Sequence, residues 1–221
     1  MKREAEVKSL LITNAIHSVA EGGFENATTK ELTHCSGHLA GLKMNEVYLY
    51  RIFGSKENLF EAAFIQLDEE LYRAFKNGVT AIGGFDDYTD EKMYQFFLRA
   101  WNYILQNEEK LRYYVRYYYS IYFKDRSLKL HERHFDRISS EMEMLFKDEA
   151  DANSILHSVF TALLDFAIRV CNGQLEDNDI NRPHIFNVLY CMMLIYFKDS
   201  VKVTGEIKRP GLITKNEIYT A

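Results

Sequence analysis

Residues 28–60 read TTKELTHCSGHLAGLKMNEVYLYRIFGSKENLF, and the order of polar, apolar and glycine positions in that stretch decides what the chain can be. Asn45 is a good N-cap. From it, Val47, Leu49, Tyr50 and Phe53 fall at helical spacings that turn Leu49 and Phe53 inward and leave Glu46, Tyr48 and Arg51 outward. Gly54 leaves a helix at little cost, Ser55 can cap the next one, and Glu57 suits its first turn. Upstream, Thr28 or Thr29 caps a short helix carrying Leu32, and Gly37 stops it. Two short helices joined by a turn, the second with a polar outer face, follow the helix-turn-helix plan, in which the second helix enters the DNA major groove.

On the N-terminal side, residues 2–21 predict a bracing helix. Leu11, Ile12, Ala15, Ile16 and Val19 recur at three- and four-residue steps, Gly22-Gly23 terminate it, and Phe24 returns to the core. Residues 1–60 thus form a three-helix domain. Taken together, Gly23-Phe24, Thr28 to Leu32, Gly37, Asn45-Glu46, Leu49 to Glu57 and Leu59-Phe60 resemble the DNA-binding domain of the TetR family of bacterial transcriptional regulators. The likeness spans about the first 60 residues and is most specific at Leu49-Tyr50, Phe53 and Ser55-Lys56-Glu57. One departure is the connection between the two short helices, which His38 to Lys43 lengthen. Extra residues inside the second helix would rotate its outer face by about 200°, so the turn is the better place for them.

Site residues follow from this reading. Thr28, Thr29, Tyr50 and Lys56 would hold phosphates around the helix that Asn45 opens, while Lys30, Glu46, Tyr48 and Arg51 face base edges. Glu46 could accept from a cytosine amino group and Arg51 donate to guanine. Charge bears on this directly. The whole chain carries −5, but residues 1–60 hold seven basic side chains (Lys2, Arg3, Lys8, Lys30, Lys43, Arg51, Lys56) and seven acidic ones. The proposed DNA-binding part is therefore neutral, and a modest salt dependence is expected.

Beyond residue 60 the pattern is helical to about residue 199, which makes the expected fold class all-α with a larger C-terminal helical body. A helix is predicted from Lys56 to Asn77, ended by Gly78, with a polar break at Gly83 to Asp90. Others run from Thr89 or Asp90 to Gln106, from Asn107 to about Phe123, and from about Ser127 to Lys147. Asp151 to Cys171 and a helix opened by Pro183 are apolar around more than one face. A second copy of the same pair would cover them, giving a two-fold four-helix interface through residues 151–171 and 183–199, and the family resemblance implies the same homodimer; burial within one subunit is the alternative. Residues 200–221, with Pro210 and Gly211, read as an extended tail.

Fifteen Tyr, fifteen Phe and one Trp make the body rich in rings that can line a cavity for a flat or greasy molecule. Trp101, Tyr103, Tyr114, Tyr117, Tyr118, Phe160 and Asp165 lie on helices that could surround one, and His157 stands two turns from Asp165. An ordinary aromatic core is the competing reading for each.

Other functions are set aside on composition and spacing. Apolar residues at 47% and charged residues at 27% suit a soluble globular protein. No 18-residue apolar run and no leader cleavage pattern occurs, so neither a membrane span nor a signal peptide is expected and the cytoplasm is the default location. Cys35, Cys171 and Cys191 are far apart and odd in number, which reads as buried reduced thiols. His131 and His134, flanked by Glu132 and Arg133, read as a solvated face rather than a metal pair. No metal or cofactor is expected, and no phosphate loop, nucleophile elbow or catalytic carboxylate pair suggests an enzyme. The function expected is a ligand-responsive, sequence-specific DNA-binding regulator, a repressor released by a small molecule from a palindromic operator. The alternative is a helical homodimeric interaction protein in which the lengthened turn has altered or abolished DNA binding.

Overall fold

The computed structural model describes residues 2–33, 45–201 and 203. Among them are nine α-helices: α1 Lys2–Gly22, α2 Thr29–Leu32, α3 Glu46–Phe53, α4 Lys56–Ala81, α5 Asp90–Gln106, α6 Glu108–Tyr118, α7 Asp125–Met142, α8 Ala152–Cys171 and α9 Asn181–Leu194. The described residues contain no strand, only an isolated antiparallel bridge between Phe146 and Phe197. The all-α expectation therefore holds. The connection His38–Lys43, Gly37, Cys35 and nearly all of the tail lie outside the described residues.

The helices divide into two compact units. Unit 1 takes the chain up to Glu70 together with Asn107–His131; unit 2 takes Leu71–Gln106 and the chain from Glu132 on.

Unit 1 is built on α1, which packs against α6, α2 and α3. Val7, Leu11, Ile12, Ala15, Ile16, Val19 and Ala20 are all buried along it, as the three- and four-residue spacing requires. Gly23 then turns the chain at φ +81, a left-handed conformation that glycine adopts without strain. This sends the Phe24 ring among Phe60, Tyr113, Tyr117 and Tyr122, with centroids 5.0–6.4 Å away. The helix predicted from Asn107 to Phe123 stops five residues sooner, at Tyr118. Ser120 is the reason: its hydroxyl donates to the Tyr117 carbonyl and accepts from the Tyr122 amide, so a side chain satisfies groups that a helix would otherwise pair. The chain enters α7 through Asp125, at φ 49.

The solvated-face reading of His131 and His134 is overturned. Both rings are buried, at 2% and 4% exposure, while Glu132 and Arg133 between them are exposed. In unit 1, His131 faces Asp68, itself 3% exposed: the Asp68 carboxylate accepts from the Tyr114 hydroxyl at 2.7 Å and from His131 Nδ1 at 2.8 Å. In unit 2, His134 stacks on Tyr72 at 4.5 Å. Flanking charges misled the reading because a three-residue step on a helix keeps one face, while the two residues between the histidines point elsewhere.

Unit 2 places α8 between α5 and α9. Phe97, Trp101, Phe160, Leu163, Leu164, Ala167, Phe186 and Tyr190 fill its core. α4 runs through Gly78 and ends only at Ala81, before the left-handed Gly83 and Gly84. Gly78 is needed for room: a Cβ there would sit 3.2 Å from Phe96 Cδ2. α7 ends at Met142 instead of Lys147, and a 3-10 turn, Glu143–Leu145, leads Phe146 into its bridge with Phe197. Pro183 is the third residue of α9, not the first; the Asn178 side chain accepts from the Ile180 and Asn181 amides and starts the helix earlier. The break at Gly83 to Asp90 is less polar than expected. Phe85 is buried, and Asp90, 2% exposed, accepts from the Tyr190 hydroxyl at 2.6 Å with the Tyr88 hydroxyl 3.0 Å away. Burial pushes both phenols far above their ordinary range, with Tyr190 and then Asp90 adding to the rise of Tyr88, and Asp90 adding to that of Tyr190 against a lowering hydrogen bond from Tyr88.

Among the described residues α8 alone is long and apolar enough to cross a membrane, with a mean hydropathy of 1.5, a property that core helices share. Its partner α9 leaves Val188 half exposed, and Ile195 and Tyr196 follow just past its end.

Candidate nucleic-acid interface

α2 is only one turn long and cannot persist on intrinsic propensity. Its start is fixed by a capping box. The Thr28 hydroxyl accepts from the Glu31 amide at 3.2 Å and the Glu31 carboxylate accepts from the Thr28 amide at 3.2 Å, satisfying two donors that the helix leaves open. Its end is held from α1, where the Asn14 amide donates to the Leu32 carbonyl at 2.9 Å. Leu32 below is fully buried. Asn14 was not singled out from sequence, yet a polar side chain beside the apolar stripe of α1 is the signal that could have found it.

α3 begins at Asn45, whose backbone is extended as an N-cap's should be, although its side chain makes no capping hydrogen bond. Gly54 closes the helix at φ +78. The Asn58 side chain donates to the Phe53 carbonyl at 2.7 Å, and Ser55 Oγ accepts from the Asn58 amide at 3.1 Å, so one residue of α4 ties down the end of α3 while Ser55 caps α4. Leu49 is fully buried beneath the helix and Phe53 is half-buried.

The outer face carries Glu46, Val47, Tyr50 and Arg51, all exposed. Tyr48 is half-buried on the flank, and the Arg51 guanidinium lies over its ring at 4.8 Å from the centroid, a cation–π contact that limits the arginine's rotamers. Glu46 in the first turn and Arg51 in the last both suit the helix dipole. On α2, Thr28 and Lys30 are exposed and Thr29 half-buried. Lys56, half-buried, places its ammonium 5.7 Å from the centre of the buried Phe60 ring. Val47, at 66% exposure, was missed as a candidate; it lies two positions from Leu49, about 200° around the helix, which is the signal that assigns it to the outer face.

The candidate ligand residues divide between the units. In unit 1, the Tyr114 hydroxyl is engaged by Asp68, the Tyr117 hydroxyl donates to the Tyr122 carbonyl at 2.9 Å, and Tyr118 packs edge-on to His131. Burial pushes the Tyr114 phenol well above its usual range, helped by Asp68, and brings that of Tyr117 to about 12. In unit 2, Trp101 is fully buried and donates to Asp177 at 2.9 Å, Phe160 packs edge-on to Phe75 and Phe135, and Tyr103 is half-buried. Asp165 is exposed and pairs with Arg169, while His157 lies against Phe135. Unit 2 also has an open polar recess of about 810 Å³, lined among others by Asp136, Ser139, Glu143, Lys147 and Asp151, and none of the seven candidates reaches it. Cys171 and Cys191 are half-buried thiols, with burial raising that of Cys191. No group of three or more metal-ligating side chains occurs among the described residues.

No known family profile matches this chain, and neither does any curated protein. Solved structures do. A TetR family transcription regulator from Marinobacter aquaeolei VT8 superposes with a TM-score of 0.66 at 18% identity, over 87% of this chain and 98% of the other. A TetR-like transcriptional regulator from Rhodococcus sp. RHA1 gives 0.53 at 14% identity, over 85% and 93%. The multidrug binding protein EbrR, in complex with imidazole, gives 0.57 at 14% identity, over 84% and 93%. The chain has the fold of the TetR-family regulators.

Proposed function

We propose that a chain with this fold and this α3 is a TetR-family transcriptional regulator, binding a palindromic DNA operator as a homodimer in the cytoplasm and leaving it when a small molecule binds the helical body. One observation carries the reading: α3 buries Leu49 and turns Glu46, Val47, Tyr50 and Arg51 to solvent, the division a helix needs to rest on its own domain and enter a major groove. On α2, the exposed Thr28 cap extends that surface toward the backbone phosphates and the exposed Lys30 extends it toward base edges. The half-exposed apolar side chains Val188, Ile195 and Tyr196 support self-association through the last two helices. EbrR's complex with imidazole supports a small-molecule effector, whose contacts are proposed among Trp101, Tyr103, Tyr114, Tyr117, Tyr118, Phe160 and Asp165.

Selection of bound duplexes from a random pool tests the proposal. A palindrome with half-sites about 34 Å apart is expected. Arg51→Ala should weaken binding to the selected site by roughly 10- to 100-fold and relax the preference at one guanine, as loss of one bidentate base contact does. Sequence-blind, salt-sensitive binding, or none, would leave the helical interaction protein as the better reading.

A further inference from the structure

The geometry points to Val47 as a further base-reading residue of α3, one that packs on the C5-methyl group of a thymine within about two base pairs of the guanine facing Arg51. The inference rests on the proposed function and adds to it a reader and the base it reads.

Three observations lead here. Val47 is the most exposed apolar side chain on α3, at 66%, although the helix has Leu49 fully buried and Phe53 half-buried. Packing of the described unit therefore does not account for an apolar residue at this position. Second, Val47 and Arg51 are four residues apart and share one face, separated by about 6 Å along the axis at 1.5 Å per residue. Stacked base pairs repeat every 3.4 Å, so a helix lying along the groove brings the two side chains to bases one or two steps apart. Third, Arg51 is placed over the Tyr48 ring at the C-terminal end of the same face, leaving Val47 free to define the N-terminal end. A valine has no donor or acceptor to offer a base edge. In the major groove the apolar feature that distinguishes one base is the thymine methyl, and burying two methyl surfaces against each other is the gain available to this side chain.

The test uses the full chain and the duplex it selects. Each thymine of the half-site is replaced in turn by deoxyuridine, which removes only the methyl group and leaves pairing and hydrogen bonding intact. For the wild type, one such replacement next to the Arg51-dependent guanine is expected to weaken binding about three- to fivefold. For Val47→Ala, shown folded by its helical circular dichroism, the thymine and deoxyuridine duplexes are expected to bind within about 1.5-fold of each other. If wild type and Val47→Ala show the same thymine-to-deoxyuridine ratio at every position, the inference is wrong while the regulator reading stands. If the wild type selects no sequence at all, the regulator reading fails first.

Discussion

Asp68→Ala lowers the unfolding free energy by about 2–5 kcal/mol, measured by urea denaturation followed by circular dichroism. The carboxylate is 3% exposed and accepts from a tyrosine and a histidine that are themselves buried, at 3% and 2%. Burial, aided by the Asp68 charge, holds Tyr114 protonated far above neutral pH, so its hydroxyl remains a donor throughout. Removing the carboxylate takes from both donors the acceptor they share, leaving the Tyr114 hydroxyl only the longer contact to His131 Nδ1 at 3.2 Å, in a medium where a poorly matched polar group is expensive. Asp68→Asn keeps the shape and one acceptor oxygen but sets an amide donor beside the others, so its loss should be smaller. A loss below about 1 kcal/mol for the alanine variant would show that water reaches the cluster and that the contacts are dispensable.

The second large effect is expected at Trp101→Ala, at about 3–5 kcal/mol. The indole is fully buried beside Phe97, and its N–H donates to Asp177, which Arg182 grips through both carboxylate oxygens at 2.6 and 2.9 Å. Truncation opens a cavity and removes one of the three donors on Asp177. Because the chain has a single tryptophan, the emission of the wild type reports this site directly. An acid titration adds a sign test. The hydrogen bonds from Arg182, with a smaller one from Trp101, outweigh burial and hold the Asp177 carboxyl below its ordinary value of 3.8. A depressed carboxyl stabilises the fold above that ordinary value, and the stabilisation is lost as pH falls through the folded-state value. The wild type should therefore lose stability below about pH 3.8 more steeply than Asp177→Asn. Equal slopes would remove Asp177 from the account of acid unfolding.

Local chemistry made the interface legible and tertiary chemistry hid much of the rest. Thr28, Asn45, Gly54 and Ser55 mark helix ends locally, by a side-chain cap or by backbone conformation, so the start of α2 and the bounds of α3 could be read directly. Period alone turned Leu49 inward and Glu46 and Arg51 outward, but it did not assign the exposed Val47 and Tyr50 to the outer face, and Tyr48, read as outward, is half-buried. By contrast, the partners of Asp68 lie 46 and 63 residues away, and no spacing rule connects them. The aromatic richness of the body was visible. Its division between two units was not, because α6 packs on α1 from far downstream, as the hydrogen bond between His17 and Glu109, 92 residues apart, shows. The end of α6 depended on a single hydroxyl at Ser120 that prefers its own turn.

Glycine within a helix normally invites replacement, since alanine there gains up to about 1 kcal/mol. Gly78 inverts that rule for anyone engineering a hardier version of this protein. An alanine methyl would meet Phe96 at 3.2 and 3.3 Å, and that ring is held between Phe75 and Phe85 in edge-on contacts at 5.9 and 5.6 Å, with little freedom to retreat. Gly78→Ala should lower the melting temperature where propensity would raise it, making this position a marker of how tightly its aromatic neighbours are seated.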